Sequence, residues 1–277
     1  MEIWHAVLLG IIEGVTEFLP ISSTGHLTIV EKLLGYRIDD PDITAFTAII
    51  QIGAVAATVV YLRSDIWRIG KAWFAGLANP VKRHREYKFG WAVLIGSIPI
   101  GVIGLLFKDE IEGVLRSLWF VAGALLLWSA VMWFADRTAK QNRSEHDTTW
   151  KDTLIIGVTQ CLALIPGVSR SGATMSAGLL RGFDRVTVTR LSFFLSIPAL
   201  SAAAILQSIT EFEYITNGVG WVPTIIATVV SFCVAYVVVS WLLKFIAKHD
   251  YSLFIWYRIA LGLVLIALLV TGIIEPV

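Results

Sequence analysis

Apolar residues in this chain gather in long unbroken runs, not in the alternating or three-and-four spacing of a half-buried surface. Five stretches free of Asp, Glu, Lys and Arg are long enough to cross a bilayer: 44–62, 89–107, 118–135, 191–210 and 214–243. A sixth, 252–274, carries a single charge, Arg258. A transmembrane helix needs roughly 20 mostly apolar residues, so the pattern predicts six spans, the fifth taken as 219–243. Two further apolar stretches, 3–34 and 153–180, are each interrupted near the middle by Pro, Gly and a Ser/Thr run, and each holds charges. These read as re-entrant helix hairpins.

Composition agrees with lipid as the solvent. The 277 residues are 56% hydrophobic and 16% charged, with a mean hydropathy of +0.74, whereas a soluble domain has roughly 25% charged residues. The net charge of +1 leaves no basic excess for nucleic acid. Cys161 and Cys233 lie in apolar stretches and read as small hydrophobes, without disulfide or zinc spacing. Glu13 and Glu17 interrupt the first apolar run and no basic segment precedes it, so it does not read as a cleavable signal.

Sixteen of the 22 Lys/Arg fall in the connections 63–88, 136–152, 181–190 and 244–251, which the positive-inside rule makes cytoplasmic. Lys32, Arg37, Lys108 and Arg116 fall in the others. The assignment is consistent only if 3–34 dips in from the outer face and 153–180 from the cytoplasmic face, with both termini external. An offset of 147 residues then relates the halves: Gly10, Ser22 and Gly25 fall on Gly157, Ser169 and Gly172, and Glu13 falls on Gln160. The expected fold is therefore an all-α polytopic membrane protein of one domain, 1–277. It is built as an inverted-topology repeat, about 1–135 (hairpin 3–34; spans 44–62, 89–107, 118–135) and about 153–274 (hairpin 153–180; spans 191–210, 219–243, 252–274). Such repeats place ligand sites near the midplane at discontinuous helices.

The candidate chemistry lies in the two breaks. In EGVTEFLPISSTGH (13–26), Glu13 and Glu17 share one helix face. Two adjacent carboxylates repel, which calls for a raised pKa or a cation, and an oxygen-only pair suits Mg²⁺ or Ca²⁺ bridged to phosphates. Past Pro20, the hydroxyls of Ser22, Ser23 and Thr24 can cap a new helix, whose N-terminus favours anions. His26 joins this intramembrane polar cluster. In PGVSRSG (166–172), Ser169, Ser171 and Gly172 start a second half-helix, and Arg170 offers a rigid fork of donors matched to phosphate. Arg258, six residues into a span, either binds substrate or snorkels to the interface. Gln51 and Gln160 are candidates for hydrogen bonds between helices. The basic run at 82–85 reads as a solvated or headgroup-facing loop. The constellation suits a phosphate or diphosphate carried on a lipid.

These residues resemble the bacterial undecaprenyl-diphosphate phosphatase family, the bacitracin-resistance proteins: 13–26 is similar to its glutamate-rich motif and 166–172 to its second motif. The resemblance implies a multi-pass enzyme of the bacterial inner (plasma) membrane that removes one phosphate from undecaprenyl diphosphate, a step of carrier recycling for cell-wall synthesis. It also implies a divalent-cation requirement, bacitracin resistance and a site open to the periplasmic or external face. By it, Glu17, Ser23, His26 and Arg170 are expected to be catalytic and Glu13 and Glu17 to hold the metal. Ser22, Thr24, Ser169, Ser171, Gly172 and Arg258 are expected to bind substrate. Partners are the lipid substrate and membrane lipids, with a homodimer allowed and no nucleic acid. Ser23 attacking with His26 as base, direct attack by His26, and water activated by Glu17 remain open. A secondary transporter or polyprenyl-phosphate flippase using the same site is the main alternative. The phosphatidic-acid-phosphatase class is disfavoured, because no second His follows Arg170 in its helix.

Overall fold

The computed structural model describes residues 1–37, 40–107 and 117–276. The described residues are helical, with no β-structure beyond one isolated bridge between Arg143 and Phe183. Six helices are long and apolar enough to cross a membrane by length and composition: α3 (Pro41–Tyr61), α5 (Arg85–Leu106), α6 (Leu118–Thr138), α9 (Arg185–Thr210), α10 (Trp221–Ile246) and α11 (Ser252–Val270). All six overlap the apolar runs predicted to be spans. The connection carrying Lys108 and Arg116 lies outside the described residues.

Both interrupted stretches form pairs of short helices. The first is α1 (Ile3–Thr16) and α2 (Ser23–Leu33); the second is α7 (Trp150–Gln160) and α8 (Arg170–Leu180). Each pair folds back until its two ends meet. His5 Nδ1 lies 2.6 Å from the Tyr36 hydroxyl, closing the first pair. Asp152 accepts from Arg181 at 2.8 Å, closing the second. Residues 5 and 152 differ by 147 positions, the same offset that relates Ser22 to Ser169.

Ionic contacts gather the basic connections at one end of the bundle. Arg190 donates to Asp65 and to Glu145, and Arg143 donates to Asp152. Asp136 accepts from Arg185 and from the backbone N–H of Tyr251. Residues of 63–88, 136–152, 181–190 and 244–251 thus share one end. Lys32 pairs with Glu275, and the Leu118 N–H donates to the Pro276 carbonyl, at the other. Within 63–88 the chain is not a loop but a helix, α4 (Arg63–Ala78). Its charges hide a helical stripe: Ile69 is buried, and the Trp73 ring packs over Gly90 of α5. Arg85, in the basic run, pairs with Glu145 and so is not simply solvated.

Helix α1 lies on α10, and helix α7 lies on α5. A Cβ on Gly10 would collide with the Ala227 carbonyl, and one on Gly157 with the Gly96 carbonyl, so each half-helix needs glycine at the same register to sit this close. Helices α3 and α9 pack on each other, as do α6 and α11.

Asp152 is the anchor of the second pair. Burial alone would raise its carboxyl, but hydrogen bonds from Arg143, Thr149 and Arg181 hold it well below the usual carboxylate range. Because the folded form prefers the ionised acid, this stabilisation is present above about pH 4 and fades as pH falls below that value. Asp152→Asn is expected to cost about 1–3 kcal/mol and to flatten the acid limb of the unfolding midpoint against pH in detergent. An unchanged midpoint at pH 7 would show that the anchor contributes nothing.

Candidate functional site

Each break is a tight reversal around a serine. Helix α1 stops at Thr16, and Ser22 takes φ +75° before α2 begins; Ser169 takes φ +76° before α8. A non-glycine residue in this left-handed region costs of order 1–3 kcal/mol and needs its surroundings to hold it. Both serines cap the following helix: Ser22 Oγ accepts from the Gly25 N–H at 3.3 Å, and Ser169 Oγ from the Gly172 N–H at 3.1 Å. The breaks also grip each other. Ser22 Oγ accepts from the Gly167 N–H at 3.1 Å, and Ser171 Oγ donates to the Leu19 carbonyl at 2.8 Å.

Glu17 is the hub of the polar cluster. One oxygen, Oε1, accepts from Arg170 Nη2 at 3.1 Å. The other, Oε2, accepts from the Ser23 hydroxyl at 2.6 Å and from Gln51 Nε2 at 3.2 Å. Arg170 also donates to the Ser192 carbonyl, and its guanidinium lies 5.6 Å from the Phe18 ring centroid. Residues 153 positions apart therefore meet where the two breaks face each other. Glu13 is 1% exposed, and its Oε1 has no hydrogen-bond partner.

A cavity of about 280 Å³ opens beside this hub, lined among others by Glu13, Ser23, Thr24, Thr28, Glu31 and Gln51. Glu31 is absent from the expected set, although the sequence carries its signal. Thr24, Leu27, Thr28 and Glu31 follow the three-four-seven spacing of one helix face, and all four line the cavity. Gln51 bonds between helices as expected, whereas both polar atoms of the fully buried Gln160 lack a partner.

The remaining expected residues sit around the cavity in different ways. Ser22, Ser169, Ser171 and Gly172 are buried in the reversals and engaged with backbone or with each other. Glu17 and Arg170, paired with each other, are not among the lining residues, and the hub meets the cavity through Ser23 and Gln51. His26 also lies off the cavity, its Nδ1 2.7 Å from the Ser22 carbonyl and its Nε2 2.7 Å from the Tyr257 hydroxyl. Arg258 does not snorkel. It is 0% exposed and donates to the carbonyls of Pro20 at 3.3 Å and Gly167 at 2.9 Å, and to Ser129 Oγ. Residues 20 and 167 are again 147 apart, so one guanidinium braces the same carbonyl of both breaks.

Residues 6–264 match the family described as Bacitracin resistance protein BacA. The chain belongs to the BacA family. It is 66% identical over 276 residues to Undecaprenyl-diphosphatase 3 of Frankia casuarinae, covering 99% of both chains. It is 54% identical to the Undecaprenyl-diphosphatase of Cutibacterium acnes (98% of both) and 51% identical to Undecaprenyl-diphosphatase 1 of Streptomyces coelicolor (99% of both). Family membership and six apolar helices make this BacA-family chain a multi-pass membrane protein.

In this BacA-family site, Arg258→Met keeps the apolar stem of the side chain but strands the Pro20 and Gly167 carbonyls, at about 1–3 kcal/mol each. A clear drop in the thermal midpoint of the detergent-solubilised protein is expected. An unchanged midpoint would mean that Arg258 does not brace the breaks.

Proposed function

We propose that this protein hydrolyses undecaprenyl diphosphate to undecaprenyl phosphate and inorganic phosphate, with Ser23 as nucleophile and Glu17 as its base. The carrying observation is the 2.6 Å hydrogen bond from the Ser23 hydroxyl to Glu17 Oε2, beside the cavity and inside the bundle. A base must lie within hydrogen-bond reach of the proton that it removes, and Glu17 meets this condition. Ser23 Oγ attacks the terminal phosphorus while its proton passes to Glu17. The bridging P–O bond breaks, undecaprenyl phosphate leaves, and water then hydrolyses the phosphoserine to free phosphate and serine. Arg170 fixes Glu17 Oε1 and stands ready to take phosphate oxygens once substrate enters. Thr24 and the start of α2 offer further donors.

Mg²⁺ or Ca²⁺ fits the same place. The unpartnered buried oxygen of Glu13, which lines the cavity, supports this. Among the described residues no cluster of three or more His, Cys, Asp or Glu forms a ready cage, so the ion would rest on Glu13 and Glu17 together with phosphate oxygens, as Mg²⁺ commonly does. When bound, it neutralises phosphate charge. The chain is further read as an inverted repeat of two re-entrant hairpins and six spans. The closed hairpin bases and the repeat-matched packing of α1 on α10 and α7 on α5 support that reading. The end rich in Lys/Arg is cytoplasmic, so both termini and the α1–α2 hairpin face outward. Consumption of the diphosphate that bacitracin sequesters accounts for resistance.

Phosphate release from undecaprenyl diphosphate in detergent, where transport is impossible, separates this reading from a flippase. Turnover is expected to fall at least about 10²-fold in Ser23→Ala, Glu17→Gln and Arg170→Ala, and to stop with chelator. Near-normal release from any of the three folded variants would remove the site. Reporter fusions at the C-terminus are expected to register outside the cell; a cytoplasmic signal would overturn the orientation.

A further inference from the structure

We infer that His26 is a positioning residue that latches the first break to the last helix through Ser22 and Tyr257, and is neither the nucleophile nor the base. The inference rests on the phosphatase reading above. A carbonyl only accepts, so the ring nitrogen 2.7 Å from the Ser22 oxygen, Nδ1, carries a proton. In the neutral ring Nε2 is then bare, and the Tyr257 hydroxyl at 2.7 Å donates to it. In the charged ring both nitrogens donate. In either state both are engaged. The Tyr257 phenol lies parallel to the imidazole, with 6° between planes and centroids 5.5 Å apart. That contact holds the ring against α11, with both nitrogens engaged by groups other than Ser23 Oγ.

The proton that catalysis must remove is held elsewhere, since Ser23 donates to Glu17. His26 instead secures Ser22, which sits at φ +75° and whose Oγ accepts from Gly25 and Gly167. The repeat-related reversal at Ser169 has Ala173 where the first has His26, so the latch belongs only to the half that presents Ser23 and the two glutamates. The neighbour of Tyr257 on α11 is Arg258, which binds the Pro20 and Gly167 carbonyls. One turn of α11 therefore holds the first break from two directions.

Asparagine separates the roles, because its Nδ2 donates from nearly the position of imidazole Nδ1 but is neither basic nor nucleophilic. The full-length protein in detergent, with undecaprenyl diphosphate as substrate, is expected to keep kcat within about tenfold of wild type in His26→Asn, with an unchanged pH profile. His26→Ala is expected to lose far more, and Tyr257→Phe to fall only a few-fold with the same profile. An acid-stable phosphoryl label on Ser23 of the wild-type enzyme is the second expected result, and it needs no variant to fold. A His26→Asn variant that is folded yet slowed by the 10²–10⁴-fold typical of a lost base, or an acid-labile label on His26, overturns the inference while leaving the phosphatase reading intact. Near-normal turnover in Ser23→Ala and Arg170→Ala would instead overturn that reading.

Discussion

The contact between Glu17 and Arg170 is the constraint around which the site is organised. A charge carried alone into a bilayer costs at least about 2.5–3.5 kcal/mol even on insertion scales. Here a carboxylate from one break and a guanidinium from the other meet at 3.1 Å, and both are nearly buried. Each break thus meets the charge that the other carries. A buried pair of this kind adds little net stability against apolar substitutes, so its value lies in where it puts Ser23. The carboxylate oxygen that Arg170 does not use is the one that accepts the Ser23 hydroxyl.

The two breaks share local geometry and divide the chemistry. Ser22 and Ser169 adopt the same strained backbone and the same cap, and Arg258 reaches the same carbonyl in both breaks. Around that common frame the side chains differ: Glu13 against Gln160, Ser23 against Arg170, His26 against Ala173. One break supplies acid, hydroxyl and latch, and the other supplies the guanidinium. Close packing of α1 on α10 and of α7 on α5, set by glycines at matched positions, fixes how the breaks approach.

Much of this was readable in advance, for identifiable reasons. The spans are visible because hydrocarbon tolerates few charges, and the breaks because Pro and a Ser/Thr run interrupt apolar sequence at the same offset. Helix α4 escaped because its charges mask a narrow apolar stripe, a pattern that resembles a basic loop when charge alone is counted. Glu31 was legible from its spacing to Thr24 and Thr28. The brace made by Arg258 was not, because its partners are backbone carbonyls and one hydroxyl, which no residue type announces. The Tyr257–His26 contact joins residues 231 apart, with nothing local to signal it.

A double-mutant cycle on phosphate release, with Glu17→Gln, Arg170→Gln and the pair together in detergent, tests most directly whether the breaks form one reaction centre. Residues that act as a unit are strongly non-additive, so the double variant is expected to be no slower than the slower single one. Losses that multiply across the cycle would mean that Glu17 and Arg170 work independently, and would contradict the account.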